Sequence, residues 1–217
     1  MAEKITILFE DNHLLVVYKP KGILSQRDCS NEEDMVTLLK KYLKEQYHKE
    51  GEAYLGLVHR LDRNTSGVMV FAKTSKCAKR LSAQIQNHQF EKKYHAVVEG
   101  VLKEDGMLRH FLSKNASLKK AYIDEKNGLE AVLFYHVLEV RENKSFVEIS
   151  LKTGRFHQIR AQFSAIGHPL YGDVKYGSKQ TISNENFPLE AYHLSFYHPI
   201  SKKLMTFEHQ NLQFESF

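Results

Sequence analysis

Two cysteines in 217 residues, Cys29 and Cys77, lie far apart without Cys-x-x-Cys spacing. That excludes a disulfide framework and gives no structural zinc signature. No apolar run approaches the roughly 18 residues needed to span a bilayer. The first residues, MAEKITILFEDNH, lack a basic region followed by an apolar block and a small-residue cleavage site. They also lack the Arg- and Ser-rich character of a mitochondrial presequence, so the expected location is the reducing cytoplasm, away from membranes. No Gly/Ser/Pro-rich linker, repeat or low-complexity tract divides the chain, and a single domain over residues 1–217, as a monomer, is the expectation. Neither GxGxxG nor GxxxxGK[ST] occurs, and the twelve histidines show no HExxH or other tight ligand spacing. Neither a nucleotide cofactor nor a metal is therefore expected, and any chemistry comes from side chains alone.

The chain is 42% hydrophobic and 26% charged, an ordinary globular balance. Its charge is uneven. Residues 1–58 carry 8 basic and 10 acidic side chains, and residues 59–217 carry 23 and 16. Between Lys73 and His95 stand six cations (Lys73, Lys76, Lys79, Arg80, Lys92, Lys93) and one acid, Glu91. A segregated basic surface suits a polyanion, because each neutralised phosphate releases counterions. A merely solvated basic face would look the same from composition.

Strand and helix signals alternate. Ile5 to Glu10 and Leu14 to Lys19 read as two strands joined by Asp11-Asn12-His13, the second broken by Lys19-Pro20-Lys21-Gly22. Ser30 with Glu33 reads as a capping box before a helix carrying Val36, Leu39, Tyr42 and Leu43 that runs on toward Gly51. A strand from Val68 to Ala72 precedes a helix capped by Thr74 or Ser75, with Ala78, Leu81 and Ile85 as its core positions. Tyr94, Ala96 and Val98 share one face of a strand. Asn127-Gly128 signals a tight hairpin ahead of strands at Ala131–Glu139 and Ser145–Leu151, and Leu194–Tyr197 pairs with Leu204–Phe207. Phe156, Ile159, Phe163 and Ile166 predict a helix ended by Gly167 and Pro169. Strands outnumber helices, so the fold class is α+β.

Two stretches look chemical. In HRLDRNTSG (59–67), Asp62 is crowded by His59, Arg60 and Arg63. Cations hold a carboxylate ionised, as a nucleophile or an electrostatic stabiliser, and Thr65-Ser66-Gly67 supplies hydroxyls and backbone freedom to brace the loop. In TGRFHQIR (153–160), Arg155 stands at a helix entry, where free N–H groups favour a phosphate, while Arg160 lies beside the apolar stripe of Ile159 and needs an anion. Asp62 is a candidate partner. Taken singly, the plainer readings are favoured: a polar turn around Asp62, a surface pair of arginines at Arg155 and Arg160, and a core tyrosine at Tyr94. Asp173, in the turn-rich HPLYGDVKYG (168–177), reads as a residue that only caps its turn.

Taken in order, ILFEDNHLLVVYKPKGIL, HRLDRNTSGVMVFAK, FEKKYHAVVEG and LKTGRFHQIRAQFSAIGHPLYGDVKYG resemble the RluA-type pseudouridine synthases, over nearly the whole chain and most weakly at about 103–145. The resemblance implies a pseudouridine synthase fold: a bent, mostly antiparallel mixed sheet in two halves, flanked by helices, with a central RNA-binding cleft. It implies conversion of uridine in rRNA or tRNA to pseudouridine without cofactor or metal: the N-glycosidic bond breaks, the uracil turns while bound, and a carbon–carbon bond forms through carbon 5. By the same resemblance Asp62 matches the catalytic aspartate and Tyr94 the active-site tyrosine that packs on the base. Arg160 matches the arginine that pairs with the aspartate, Arg60 a side chain filling the space left by the flipped nucleotide, and Ile159 a base-pocket residue. Arg155, Lys93, Lys79 and Arg80 are the further RNA contacts expected. Asp62 could attack carbon 1 of the ribose, assist glycal formation or add to carbon 6 of the uracil.

Two departures stand out. Gln162 replaces a histidine common in the family, so RNA contact there is expected to differ. The first catalytic strand begins at about Thr6, so no separate N-terminal RNA-binding domain is expected. Outside enzymology, a non-catalytic RNA-binding or RNA-folding factor on the same scaffold fits the basic bias. A hydrolase built on HRLD lacks a nucleophile–base spacing.

Overall fold

The computed structural model describes residues 5–29, 32–48 and 50–217. The chain divides into two compact units: Met1–Glu91 with Ala191–Gln210, and Lys92–Glu190 with Asn211–Phe217. Both are α+β, and the strand pairing within each is largely antiparallel.

Unit 1 is built on β1 (Thr6–Glu10), β2 (Leu14–Lys19), β3 (Gly56–Leu57), β4 (Ser66–Ala72), and most of β10 (Leu189–Tyr197) with β11 (Leu204–Glu208). The strand order is β1-β2-β4-β10, with β3 also on β4 and β11 on β10. β2 and β4 are buried along their whole length, which is why LLVVYK and SGVMVFA read as continuous apolar runs rather than alternating ones. The core joins Leu14, Val16, Val68 and Val70 to Cys77, Leu81, Phe90 and Phe196. Gly67 is required where it stands: its φ is 138°, and a Cβ there would lie 2.3 Å from the carbonyl oxygen of Ala191.

Two helices flank this sheet. In α1 (Met35–Gln46) Asp34 is the N-cap, its Oδ1 accepting from the N–H groups of Val36 (2.9 Å) and Thr37 (3.2 Å). The capping box expected at Ser30 falls on a residue outside those described, and the helix ends before Gly51. Thr74 caps α2 (Ser75–Gln86) as expected. Its buried positions are Cys77, Leu81 and Gln84, with Ala78 and Ile85 partly buried at the margin.

Unit 2 holds β5 (Glu91–Glu99), β6 (Gly106–Asn115), β7 (Lys120–Ile123), β8 (Leu129–Arg141) and β9 (Lys144–Leu151), in the order β5-β9-β8-β6-β7. The long β6 and short β7 go beyond the strands that the sequence pattern predicts. The loop at Asn127-Gly128 is an Asp-anchored turn: Asp124 Oδ1 accepts from Lys126 and Asn127, and Gly128 N–H donates to the Asp124 carbonyl at 2.9 Å. Helix α3 (Gln158–Ala165) packs on β6 and β7 through Leu112, Ala121, Ala131, Ala161 and Tyr176. It is shorter than the spacing predicts, because His157 sits at φ 49° and leaves Phe156 outside. The tail returns to this unit: Glu190 accepts the N–H groups of Asn211 and Leu212, and Phe214 stacks on Phe146.

Candidate active site

In unit 1 the HRLDRNTSG segment lies between β3 and β4. Asp62 is half-buried and Arg60 is exposed. The loop is pinned from the end of β2. Lys19, fully buried, donates from Nζ to the carbonyls of Pro20 (2.9 Å), Arg63 (2.9 Å) and Thr65 (2.8 Å). Three acceptors match the three N–H bonds of an ammonium. Burial pulls this amine down from its ordinary value to about 7, the Asp62 charge working to raise it and Arg63 to lower it.

Ser25, also buried, clamps the residue before the aspartate: its Oγ donates to the Leu61 carbonyl at 2.7 Å and accepts the Leu61 N–H at 3.0 Å. Thr65 N–H donates to the Asp62 carbonyl at 3.1 Å, closing the turn, and Gly22 N–H donates to the Arg63 carbonyl at 2.9 Å. His59 Nε2 accepts the Val70 N–H at 3.0 Å, so that nitrogen carries no proton. Arg63 points to Glu32 (2.7 Å) and to the Gly22 carbonyl. A cation acting on Asp62 within this unit is thus Lys19, which local patterning marks only as a strand breaker. Of the expected RNA contacts here, Lys79 is exposed, whereas Arg80 donates to the Pro199 carbonyl at 2.9 Å and steadies the β10–β11 turn.

In unit 2 Tyr94 is buried on β5, opposite Ile149 of β9, and Lys93 ion-pairs across the strands with Glu148 at 3.6 Å. Ile159 is buried on α3. Arg160 carries a two-pronged ion pair: Nε to Asp173 Oδ2 at 2.7 Å and Nη2 to Oδ1 at 2.8 Å. Asp173 is buried and makes no cap bond in its own turn, which corrects the expectation that it only caps. Its carboxylate is what makes a half-buried guanidinium tolerable.

Around Arg160 the guanidinium lies 4.8 Å from the Tyr176 ring centre and 5.3 Å from that of Phe187. Nη1 stands 3.2 Å from His157 Nε2, and since a guanidinium only donates, that nitrogen accepts. Burial first, then Arg160, Lys175 and Lys114, push His157 down to about 3, so it stays neutral. Its Nδ1 lies 2.8 Å from the Tyr176 hydroxyl.

Two glutamines of the motif are internal. Gln158 Oε1 accepts from Thr153 Oγ1 and Arg155 N, and its Nε2 donates to the Val132 carbonyl. Gln162, with no exposed surface, donates to the carbonyls of Leu108 (3.1 Å) and Ala131 (3.0 Å). It stitches α3 to β6 and β8, which leaves no surface there for RNA to touch. Arg155 precedes the helix, and its Nε is taken by the Glu130 carbonyl at 2.8 Å. Among the described residues no group of three or more His, Cys, Asp or Glu is placed to hold a metal ion. No helix among them is long and apolar enough to cross a membrane.

Comparison with known proteins decides what this arrangement is. The family model for RNA pseudouridylate synthase matches residues 13–165. The chain belongs to that family. It is thereby an RNA pseudouridine synthase, an isomerase acting on RNA. It is 36% identical to "Ribosomal large subunit pseudouridine synthase D" of Zymomonas mobilis, over 94% of this chain and 68% of that protein. It is 31% identical to "tRNA pseudouridine synthase C" of Pectobacterium carotovorum, over 94% and 58%. The solved structure of human RNA pseudouridylate synthase domain containing 4 shares the fold: TM-score 0.78 over 96% of this chain and 89% of that one, at 24% identity. The α+β, largely antiparallel architecture expected from the sequence is that of these neighbours.

Proposed function

We propose that this chain isomerises uridine in ribosomal or transfer RNA, without a cofactor and as a cytoplasmic monomer, with Asp62 as its catalytic carboxylate. The observation that carries the reading is the loop itself: a half-buried aspartate whose backbone neighbours are fixed by a buried lysine and a buried serine. Fixing a loop this firmly costs an ammonium's burial, a cost that suits a side chain needing one position. The names of the relatives support ribosomal and transfer RNA as the substrate classes.

The chemistry follows from what each side chain offers. A uridine inside a helix is inaccessible, so the nucleotide is extruded at a cost of roughly a few kcal/mol, least in loops. Exposed Arg60 is suited to filling the gap, and the Tyr94 ring to packing on the base and exchanging a proton with it. The Asp62 carboxylate then meets the sugar–base junction, where glycosidic bonds break through centres that a carboxylate can attack or stabilise. Arg160, held by Asp173, offers a fixed cation to the reacting groups. Ile159 supplies an apolar wall, and Lys93, Lys79, Arg80 and Arg155 are the proposed outer contacts.

The test is tritium release from RNA carrying 5-tritiated uridine. Asp62→Asn abolishes release while RNA binding persists. Substantial turnover by Asp62→Ala on a verified substrate overturns the assignment, and absence of release by the wild-type protein on every ribosomal and transfer RNA tried favours a binding factor.

A further inference from the structure

Lysines gather on unit 2 at a place that the roles assigned above leave unused. Strands β6 and β7 form a hairpin whose tip reads Lys114-Asn115-Ala116-Ser117-Leu118-Lys119-Lys120, three lysines and no acid. The tip is an ordered turn: Asn115 Oδ1 accepts from Ser117 Oγ at 2.8 Å and from Leu118 N–H at 3.0 Å, and Lys119 N–H donates to the Ala116 carbonyl. Two of the ammonium groups are parked over aromatic rings, Lys114 at 4.6 Å from the Phe156 centre and Lys120 at 4.9 Å from that of Tyr176. Tyr176 belongs to the same short 3-10 turn as Lys175, and the Tyr176 hydroxyl accepts the Ala121 N–H at 2.7 Å, tying that turn to β7.

These cations act on one another. Burial lowers Lys175 most, and Arg160, Lys119 and Lys120 lower it further, while Asp173 works to raise it. Asp173, however, is committed to Arg160 on both oxygens. Lys114, Lys119 and Lys175 are exposed. Held like charges with their acid already spent leave a field that favours a polyanion strongly.

We propose that Lys114, Lys119, Lys120 and Lys175 form a docking surface for the phosphate backbone of the RNA substrate, gripping nucleotides that flank the one modified. The proposal rests on the RNA-modifying activity assigned above and names where the substrate is held. Phosphate contacts position a nucleic acid without reading its sequence, so this surface sets affinity and register rather than the choice of base.

The experiment compares three proteins: wild type, the quadruple variant Lys114→Gln/Lys119→Gln/Lys120→Gln/Lys175→Gln, and a charge-matched control with Lys41, Lys44, Lys202 and Lys203, all exposed in unit 1, changed to Gln. Binding to an in vitro transcript of large-subunit ribosomal RNA is measured from 50 to 300 mM KCl, and tritium release at saturating transcript. Every phosphate that the protein no longer neutralises lowers the log–log salt slope by about 0.7 to 0.9. The quadruple variant therefore loses about 3 in slope, binds about thirtyfold or more weakly at 100 mM KCl, and keeps the wild-type kcat and melting temperature. A quadruple variant whose slope and affinity match those of the control overturns the proposal, and the cations then serve a partner other than RNA. If the wild type releases no tritium yet binding still depends on these lysines, the docking surface stands and the assigned reaction fails.

Discussion

Lys19 offers the sharpest test of how the Asp62 loop is built. In Lys19→Met the stem and its packing are largely kept, but the carbonyls of Pro20, Arg63 and Thr65 lose their common donor. The Arg63 carbonyl keeps the Gly22 N–H, and the other two, left without that donor, cost about 1–3 kcal/mol each. Against this, the variant no longer buries an ammonium. The fall from 10.5 to about 7 is worth about 5 kcal/mol, held against folding while the lysine is charged. The two terms nearly offset at pH 6, so overall stability there changes by less than about 3 kcal/mol.

The pH dependence separates them. The folded-state value is depressed, so between about pH 7 and 10 the unfolded chain holds a proton that the folded chain has shed, and stability rises with pH. Wild type therefore gains about 3 kcal/mol between pH 6 and 9 that the methionine variant lacks. Urea unfolding of both proteins at pH 6, 7.5 and 9 measures this divergence directly. Tritium release tests the loop, which without its anchor loses at least about tenfold in kcat. A stability difference that stays constant across the pH range refutes the electrostatic reasoning, and undiminished kcat refutes the positional part.

Two more outcomes follow from the site's buried contacts. Asp173→Asn leaves the Arg160 charge without its carboxylate and costs about 3 kcal/mol, lowering the melting temperature by about 6–12 °C in calorimetry; a loss below about 1 kcal/mol would show the pair to be a solvated one. Ser25→Ala removes both bonds to Leu61 and lowers kcat about tenfold with KM for RNA unchanged, and an unchanged kcat would mean that the clamp does not hold Asp62.

How much of this is legible in the amino-acid order depends on the range of the interaction. Strands β2 and β4 announce themselves by unbroken apolar runs, and α2 by its Thr74 cap. β6 and β7 do not, because exposed lysines and polar residues such as Arg109, Ser113 and Lys114 interrupt the alternation, and the register of β6 is set by β8 and that of β7 by β6. Helix α3 starts late because the left-handed His157 is dictated by its ring partners, not by local preference. HRLDRNTSG and GRFHQIR stand out as motifs. Their supports do not: Lys19 lies 44 and 46 residues from two of its acceptors, and Ser25 lies 36 from Leu61. A lone lysine at a strand end reads as solvated until the chain folds back over it.

The path of the chain through its two units constrains how it is made. Unit 1 closes only when Ala191–Gln210 arrives, because β10 lies beside the wholly buried β4. Synthesis proceeds at about 5–20 residues per second, so the stretch from Ala72 to Leu189 takes roughly 6 to 24 s to emerge. Throughout that interval the nascent N-terminal segment exposes a naked apolar strand edge, a natural client for chaperones at the ribosomal exit.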